Sequence, residues 1–243
     1  MNFAIVPVKQ LSRAKERLAS LLSPAERSSL AFAMLEDVLS VLFRSKKLDG
    51  VTVISNDPTV WELAKSLGAW VIRETSQEGE SASVERATKA CMAWGASTVL
   101  IVPSDIPLIA PSDVELVIEK AEVLSGHRLR GQGARPVIEK NGDEPEAEPD
   151  APCVILVPSL DGTGTNALLR RPPEAIPSHF GANSFQAHIA EVERQKIPYE
   201  ACELPRIALD IDSPEDLKLF LSTESQTRSY RELLKMGIPS RMR

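Results

Sequence analysis

Short apolar runs alternate along the chain with longer amphipathic segments. The apolar runs have the length of buried strands, and the amphipathic segments have the spacing of helices that bury one face. The predicted strands cover residues 3–8, 51–55, 69–72, 98–102, 154–157 and 207–211. This alternation predicts an α/β fold with a single doubly wound, mostly parallel sheet and helices on both faces.

Capping motifs mark where several of the predicted helices begin. Ser23-Pro24-Ala25-Glu26 and Ser112-Asp113-Val114-Glu115 each have the pattern of a capping box. Ser213-Pro214-Glu215-Asp216 begins a helix that is expected to run to about residue 221. Asp57-Pro58 begins a short helix, and Ser184 is expected to be the cap of a later one.

Residues 126–152 interrupt this pattern. Their acidic part, residues 141–150, contains no aromatic or β-branched residue and cannot bury enough apolar surface to offset the entropy lost on ordering. We therefore expect one domain at residues 1–221 with a mobile acidic insertion at about residues 126–152 that has no catalytic role. Residues 222–243 are expected to form a basic C-terminal tail, with a surface helix and a frayed end.

The composition narrows the class of protein. With 243 residues, of which 43% are hydrophobic, the chain can bury one substantial core. A net charge of −6 argues against a nucleic-acid partner. The apolar runs are far shorter than the roughly 20 residues of a membrane span, and the first residues do not resemble a signal peptide. We therefore expect a cytoplasmic protein that binds neither nucleic acid nor membranes.

The cysteines and histidines do not suggest a metal site. The cysteines are far apart and are expected to be buried thiols in a reducing compartment: Cys91, Cys153 and Cys202. The histidines are dispersed and are expected to be surface or packing residues rather than catalytic bases: His127, His179 and His188.

The apolar run at residues 98–102 is followed by Pro103-Ser104-Asp105-Ile106-Pro107. Asp105 is therefore expected just past the carboxyl end of a buried strand, where open α/β sheets bind ligands. A carboxylate held there between prolines is suited to hold a divalent cation against a phosphate. Taken alone, Asp105 is explained equally well as an ordinary aspartate of a turn.

The loop after the first strand carries four cations: Lys9, Arg13, Lys15 and Arg17. Cations at the end of a strand can hold a nucleotide triphosphate through charge-assisted hydrogen bonds. The loop lacks the glycines and the Gly-Lys-Ser/Thr ending of a Walker motif. The alternative is a solvated basic loop.

Three later segments are also candidates for chemistry. Residues 161–166 (Asp-Gly-Thr-Gly-Thr-Asn) follow a predicted strand, and their small side chains let backbone N–H groups approach an anion. Residues 180–185 would place Ser184 at the positive N-terminus of a helix. A plain turn and simple capping are the alternatives. Strand alternation would send Asp210 and Asp212 to opposite faces, so that at most one points at the cleft.

Six segments, in order, carry a resemblance to a known family: Pro7-Val8-Lys9 with residues 11–18, Ser55-Asn56-Asp57, and residues 103–108, 161–168, 180–185 and 209–217. The set resembles the 2-phospho-L-lactate guanylyltransferases and their phosphoenolpyruvate-using relatives, which serve biosynthesis of the deazaflavin coenzyme F-420. Each segment alone is a weak signal, but six in family order are strongly specific.

The resemblance implies a nucleotidyltransferase-like, Rossmann-related fold. It implies that Mg²⁺ is bound by Asp105 and by a carboxylate of the Asp210/Asp212 pair, and that the acceptor is held by Thr165, Gly181 and Ser184. The nucleotide, GTP, would be bound by the basic loop together with Ser55, Asp57 and Glu85. Asp105, Lys9, Arg13 and Lys15 are the expected catalytic residues. Relatives usually carry Leu-Asn where Val84-Glu85 stands here, which bears on base selectivity.

The residues and the resemblance predict one reaction. A phosphate oxygen of a small phosphorylated acid attacks the α-phosphorus of GTP, and pyrophosphate leaves. The attacking phosphate is already anionic, so catalysis becomes positioning and charge neutralisation. The alternatives are a nucleotidyltransferase of the same fold acting on 3-phosphoglycerate, a molybdopterin or a sugar phosphate, and a nucleotide-binding module without catalysis. For the oligomeric state, a homodimer is the alternative to a monomer.

Overall fold

The computed structural model describes residues 1–75, 79–126 and 151–242. The strands are β1 Asn2–Val8, β2 Gly50–Ser55, β3 Trp70–Arg73, β4 Thr98–Ile101, β5 Cys153–Pro158, β6 Thr165–Arg171 and β7 Tyr199–Ala201. The helices are α1 Pro24–Leu42, α2 Pro58–Ser66, α3 Glu80–Ala93, α4 Pro111–Leu124, α5 Ser184–Gln195, α6 Pro205–Ala208, α7 Pro214–Ser222, α8 Arg228–Lys235 and α9 Ile238–Arg241. Two short 3-10 turns, Leu11–Arg13 and Glu16–Leu18, connect β1 to α1. The predictions for the acidic insertion and for His127 fall on residues 127–150, outside the described residues.

The strands form one sheet in the order β3-β2-β1-β4-β6-β5-β7. β1 pairs in parallel with β2 and β4, β2 with β3, and β5 with β7. β6 runs antiparallel to both β4 and β5. The prediction of a mostly parallel sheet is confirmed. Because β1, β2 and β4 are parallel, the loops that follow them leave the sheet at the same edge.

Helices cover both faces of the sheet, as predicted. Alternate residues of β1 belong to two separate clusters of buried side chains, with Val6 in one and Ile5 in the other. The first cluster contains residues of α1, α2 and α4, and the second contains residues of α3 and α5. A strand that is buried on both faces has a continuous apolar sequence, as residues 3–6 of β1 do.

The C-terminal residues belong to a third cluster rather than to a separate tail. Leu233 of α8 and Ile238 of α9 are fully buried against Leu30 and Met34 of α1. The Asp37 carboxylate of α1 accepts hydrogen bonds from the backbone N–H groups of residues 228 and 229, at 2.8 and 2.9 Å. The prediction of a surface helix with a frayed end missed this packing, because the charges of the segment conceal its two apolar anchors.

The strand predicted at residues 207–211 is wrong. Pro205 begins the short helix α6, and the backbone that follows bonds to loops instead of to a neighbouring strand. The carbonyl groups of Ile207 and Ala208 accept from the Asn166 side chain, each at 3.0 Å, and the Ile211 N–H donates to the Asp105 carbonyl at 3.0 Å. The two additional strands, β6 and β7, were not predicted.

Two predicted helix starts also shift. α4 begins at Pro111, and Asp113, rather than Ser112, bonds to the backbone N–H of Ala110 at 2.9 Å. α5 is preceded by Asn183, whose φ is 55°, so that Ser184 is the first helical residue and not its cap. The three cysteines are buried free thiols, as expected. Among the helices described, none is long and apolar enough to cross a membrane.

Candidate active site

The ammonium of Lys15 lies between two carboxylates at the edge where β1 and β4 end. It donates to Asp105 Oδ2 at 2.5 Å and to Asp212 Oδ1 at 2.6 Å. The Lys15 side chain is only 7% exposed. Burial alone would lower the pKa of Lys15, but the charges of Asp105 and Asp212 outweigh burial and raise it. The ammonium is therefore held in its charged form.

Lys15 also has an uncommon backbone. It stands between the two 3-10 turns with φ of 55° and ψ of 41°, in the left-handed region that L side chains seldom adopt. Such a conformation persists only where the surroundings hold it, and it is found often at functional sites. Here the ion pairs with Asp105 and Asp212 hold the side chain inside the cluster.

Asp105 reaches this position because the loop after β4 is anchored on both sides. Ile106 and Ile109 are buried in the core, and the Asp105 carbonyl accepts from Ile211 N–H. One oxygen of the carboxylate bonds to Lys15. The other, Oδ1, is buried and has no hydrogen-bond partner within the described part of the chain. A buried carboxylate oxygen without a partner is costly, unless a ligand completes it.

The segment between α6 and α7 brings Asp210 and Asp212 to the same cluster. Asn166 Nδ2 donates to Asp210 Oδ1 at 2.9 Å. Burial raises the pKa of Asp210, and the nearby negative charges of Asp105 and Asp212 raise it further. Burial also acts to raise the pKa of Asp212, but Lys15 outweighs burial and lowers it. The strand alternation behind the expectation that at most one of the pair faces the cleft does not occur, but the two carboxylates do have different partners: Asp212 bonds to Lys15 and Asp210 bonds to Asn166.

Three of the four predicted cations surround this cluster. The charges of Lys9 and Arg17, together with that of Lys15, lower the pKa of Asp212. Lys9 is mostly exposed and pairs with Glu80 at 3.3 Å, which joins the basic loop to the first turn of α3. Arg13 is exposed on the first 3-10 turn. The loop therefore places positive charge at the surface beside two partly exposed carboxylates, Asp105 and Asp212.

Ser55 and Asp57, expected to bind nucleotide, hold the basic loop in place. Asp57 Oδ2 accepts from Leu11 N–H and Oδ1 accepts from Thr59 N–H, both at 2.9 Å. Ser55 Oγ accepts from Asp57 N–H at 3.1 Å. Both carboxylate oxygens of Asp57 are thus used, one for the loop and one for the N-terminus of α2. A direct contact of these residues with nucleotide stays a prediction.

The three residues expected to hold the acceptor lie together. The Thr165 N–H donates to Ser184 Oγ at 2.9 Å, and the Ser184 N–H donates to the Gly181 carbonyl at 3.2 Å. Gly181 has φ of 129°, and residues 181–183 form an exposed turn directly before α5. Ser184 itself is buried, and its hydroxyl joins β6 to α5. The exposed turn, rather than the Ser184 side chain, faces solvent.

His188 supports the same region from inside the protein. Its Nε2 accepts from the His179 N–H at 2.9 Å, so its proton is on Nδ1, which lies 3.0 Å from Thr165 Oγ1 and donates to it. Burial, followed by the charge of His179, lowers the pKa of His188 to about 4. The prediction of a packing histidine is confirmed for His188. The two histidines are not dispersed, however, because their rings lie 5.8 Å apart.

Glu85, expected to contact the nucleotide, pairs with a buried arginine. Arg170 of β6 is fully buried and donates to Glu85 Oε1 at 2.8 Å and to Thr88 Oγ1 at 2.7 Å. Glu85 Oε1 also accepts from Ser178 N–H at 3.0 Å. Burial acts against ionisation of Glu85, but Arg170 outweighs burial and lowers its pKa.

A sequence model of the proteins described as "Guanylyl transferase CofC like" matches residues 2–128 and 145–242. The chain belongs to this family. A phosphoenolpyruvate guanylyltransferase of Rubrobacter xylanophilus is 38% identical over 215 residues, which cover 88% of this chain and 91% of that one. A 2-phospho-L-lactate guanylyltransferase of Methanothermobacter thermautotrophicus is 34% identical over 241 residues, covering 98% and 93%.

Solved structures of nucleotidyltransferases share the fold of this chain. A nucleotidyl transferase of Methanothermobacter thermautotrophicus superposes with a TM-score of 0.56 at 17% identity, covering 92% of this chain and 99% of that one. A cytidylyltransferase of Leptospira borgpetersenii superposes with a TM-score of 0.55 at 15% identity, covering 99% and 96%. The expected nucleotidyltransferase-like fold is thus confirmed, and membership of the guanylyl transferase family confirms the expected nucleotidyltransferase class.

The carboxylates of this CofC-like protein fit a magnesium ion in their chemistry. Carboxylate oxygens are the ligands that Mg²⁺ prefers, and two of them converge on one cation, the Lys15 ammonium. The partnerless Asp105 Oδ1 supplies a further oxygen. Among the described residues no three potential metal ligands are grouped together, and the two carboxylates that converge do so on Lys15.

Glu80 and Asn166 belong to the site although their sequence motifs did not single them out. Burial raises the pKa of Glu80, and Lys9 partly offsets that effect. Asn166 holds the Asp210 segment through three hydrogen bonds from one amide group. Asn166 ends the glycine-threonine sequence of residues 161–166, but the role of its amide depends on contacts with the segment after α6. Glu80 is the first residue of α3, directly after Gly79, and no residue type in that pattern indicates a site.

Proposed function

We propose that this protein transfers GMP from GTP to the phosphate of a small phosphorylated C3 acid, phosphoenolpyruvate or 2-phospho-L-lactate, and releases pyrophosphate. Membership of the guanylyl transferase family supports the reaction type and a role in the biosynthesis of coenzyme F-420. The relatives named for these two acceptors support the class of acceptor. The observation that carries the proposal is the Lys15 ammonium held between Asp105 and Asp212.

Each residue of the site has a task in this reaction. An oxygen of the acceptor phosphate attacks the α-phosphorus, and the bond from that phosphorus to the β-phosphate oxygen breaks. Lys9, Arg13, Lys15 and Arg17 bind the triphosphate and stabilise the negative charge of the leaving pyrophosphate. The acceptor oxygen is already anionic, so no side chain has to remove a proton. The rate therefore depends on positioning and on charge neutralisation.

Mg²⁺ held by Asp105 and by Asp212 or Asp210 would supply charge neutralisation and orientation of the reacting phosphates. For these carboxylates to bind it, the Lys15 ammonium has to leave at least one of them. A triphosphate offers the ammonium a new anionic partner. We therefore propose that Lys15 moves from the carboxylates to the phosphates when nucleotide binds.

The acceptor would bind at the exposed turn of residues 181–183. The N-terminus of α5 carries partial positive charge, which favours a phosphate or carboxylate at this end. The turn connects to the carboxylate cluster, because Thr165 bonds to Ser184 and the neighbouring Asn166 bonds to Asp210. The two parts of the site are thus joined through adjacent residues of β6. The homodimer and the cytoplasmic location stay predictions.

A panel of acceptors tests the proposal. Pyrophosphate release from GTP with Mg²⁺ is measured with phosphoenolpyruvate, 2-phospho-L-lactate, 3-phosphoglycerate and a sugar phosphate. We expect release with one of the first two acids and a rate close to background with the sugar phosphate. Release with 3-phosphoglycerate or the sugar phosphate alone would support the same fold acting on another acceptor. Binding of GTP without release for any acceptor would support a nucleotide-binding module.

A further inference from the structure

Three consecutive backbone N–H groups in the segment before the exposed turn are each held by a side chain. The Ser178 N–H donates to Glu85 Oε1 at 3.0 Å, and the His179 N–H donates to His188 Nε2 at 2.9 Å. The Phe180 N–H donates to Ser81 Oγ at 2.9 Å. We call residues 176–180 the tethered segment. It leads directly into Gly181 and the turn at residues 181–183.

The tethers come from helices rather than from a neighbouring strand. Glu85 and Ser81 lie one turn apart on α3, and His188 lies on α5. A connecting segment usually satisfies its N–H groups with water or local turns and is correspondingly mobile. Here each of the three N–H groups has one fixed acceptor. The backbone that ends at Gly181 is therefore set by the packing of two helices.

A buried arginine holds one of these acceptors, the Glu85 carboxylate, in place. Arg170 Nη1 donates both to Glu85 Oε1, at 2.8 Å, and to the carbonyl of Ile176, at 2.7 Å. Its Nη2 donates to Thr88 on α3 at 2.7 Å. One guanidinium thus holds the Glu85 carboxylate and the beginning of the tethered segment at once. Glu85 is held in the orientation that meets Ser178.

We propose that Ser81, Glu85 and His188 are positioning residues that set the affinity for the phosphorylated acid. They hold the tethered segment, and through it the turn at residues 181–183, in the geometry that binds the acceptor anion. Arg170 acts through Glu85. This inference rests on the proposed function, and it assigns Glu85 to the acceptor side of the reaction rather than to recognition of the guanine base.

Steady-state kinetics of Ser81→Ala and Glu85→Ala test this assignment. Each variant removes one acceptor of a backbone N–H, so we expect the KM for the acceptor acid to rise about three- to tenfold. The KM for GTP should stay within about twofold. Ser81→Thr keeps the hydroxyl and should restore the acceptor KM towards that of the wild type.

Two variants serve as matched controls. Ser66→Ala removes a hydroxyl that donates to Leu63 O of its own helix, α2. Lys89→Ala removes an exposed charge from α3. Neither touches the tethered segment, so both KM values should stay within about twofold of wild type. Isothermal titration of the acid in the presence of a non-hydrolysable GTP analogue gives the acceptor affinity without turnover, and it should fall in parallel with the KM effect.

The outcomes separate the possible roles of Glu85. A higher KM for GTP, or a changed preference between GTP and ATP, with an unchanged acceptor KM in Glu85→Ala would overturn the proposal in favour of base recognition. An equal rise of both KM values in Ser81→Ala would show a merely structural role. If Glu85→Ala does not fold, Ser81→Ala and its threonine rescue decide alone. Absence of transfer by the wild type to every acid would instead reject the proposed function, and this assignment with it.

Discussion

The Lys15 ammonium lies 2.5 Å from Asp105 Oδ2, while the other oxygen of the same carboxylate is buried and has no partner among the residues that the structure describes. The chain thus supplies a hydrogen-bond donor to Oδ2 of Asp105, whereas Oδ1 can accept from or coordinate a ligand. Asp212 shares the ammonium at 2.6 Å. A single internal cation thus offsets only part of the negative charge of the two carboxylates, and this arrangement leads to the first two predictions.

Asp105→Asn should lower kcat by about 100-fold or more and leave the fold intact. The amide keeps the shape but loses the charge on which a divalent cation and Lys15 depend. Pyrophosphate release at saturating GTP, acceptor and Mg²⁺ is the measurement, with circular dichroism as the check on folding. Asp49→Asn is the matched control, because Asp49 accepts from Asn2 N–H at the start of β1, away from the site. Wild-type turnover of Asp105→Asn would remove Asp105 from the site.

Lys15→Met should bind Mn²⁺ more tightly than the wild type when no nucleotide is present. The variant removes the ammonium that competes for Asp105 and Asp212, and a gain of at least about tenfold, or 1.4 kcal/mol, is expected. Its kcat should fall because the triphosphate loses a cation. Electron paramagnetic resonance of free and bound Mn²⁺ gives the affinity. Lys9→Met, which changes a mostly exposed lysine, should alter it far less. Unchanged or weaker Mn²⁺ binding by Lys15→Met would contradict the exchange of partners.

Ser184→Ala should lower both stability and acceptor affinity. The Ser184 hydroxyl accepts from the buried Thr165 N–H, and loss of that acceptor costs about 1–3 kcal/mol of the free energy of unfolding. Because the turn at residues 181–183 precedes Ser184, the KM for the acid should rise more than the KM for GTP. Urea unfolding and steady-state kinetics measure the two effects. A stable variant with unchanged kinetics would show that the hydroxyl has neither role.

Stability should fall between pH 6.5 and about 4 in a way that depends on His188. Burial lowers the pKa of His188 from 6.5 to about 4, so the unfolded chain binds a proton in this interval and the folded chain does not. The stabilisation is complete above pH 6.5 and is lost as the pH falls towards 4, by up to about 3 kcal/mol.

Urea unfolding of His188→Asn and of the wild type at pH 7 and pH 4.5 measures this contribution. The variant should be less stable at pH 7, and the additional loss at pH 4.5 should be smaller than in the wild type. His179→Asn removes the neighbouring charge that adds to the effect of burial on the pKa of His188, so its pH dependence should be slightly weaker than that of the wild type and clearly stronger than that of His188→Asn. An equal pH dependence for His188→Asn and wild type would show that His188 carries no such contribution.

Much of the site could be predicted from the sequence because it lies at strand ends. Parallel strands bring their carboxyl ends to one edge, so residues after β1 and β4 had to meet, and Lys15 does meet Asp105. Thr165 and Ser184 also meet, but at the starts of elements: Thr165 begins the antiparallel strand β6, Ser184 begins α5, and each follows a loop with small residues. Motifs at the ends of elements are local patterns with a defined place in the fold.

The missed elements depend on contacts that the sequence does not show. β6 ends in Arg170 and Arg171, two charges that mask a buried strand. Burial of these charges is tolerated because both guanidinium groups are hydrogen-bonded. Arg170 donates to Glu85 and Thr88, and Arg171 donates to Thr98 at 2.9 Å. Residues 207–211 have the apolar sequence of a strand. Their backbone carbonyls at Ile207 and Ala208, however, accept from the Asn166 amide and not from the backbone of a neighbouring strand. Tethers such as Ser81 to Phe180 join residues about a hundred positions apart.

The fate of labelled phosphate tests the central claim most directly. The protein is incubated with phosphoenolpyruvate or 2-phospho-L-lactate, Mg²⁺ and GTP labelled at either the α- or the γ-phosphate. The account predicts that the α-label appears in a guanosine diphosphate ester of the acid and the γ-label in pyrophosphate, and that Asp105→Asn forms neither product. Label from the γ-position in inorganic phosphate, with no ester formed, would show GTP hydrolysis and would contradict the account.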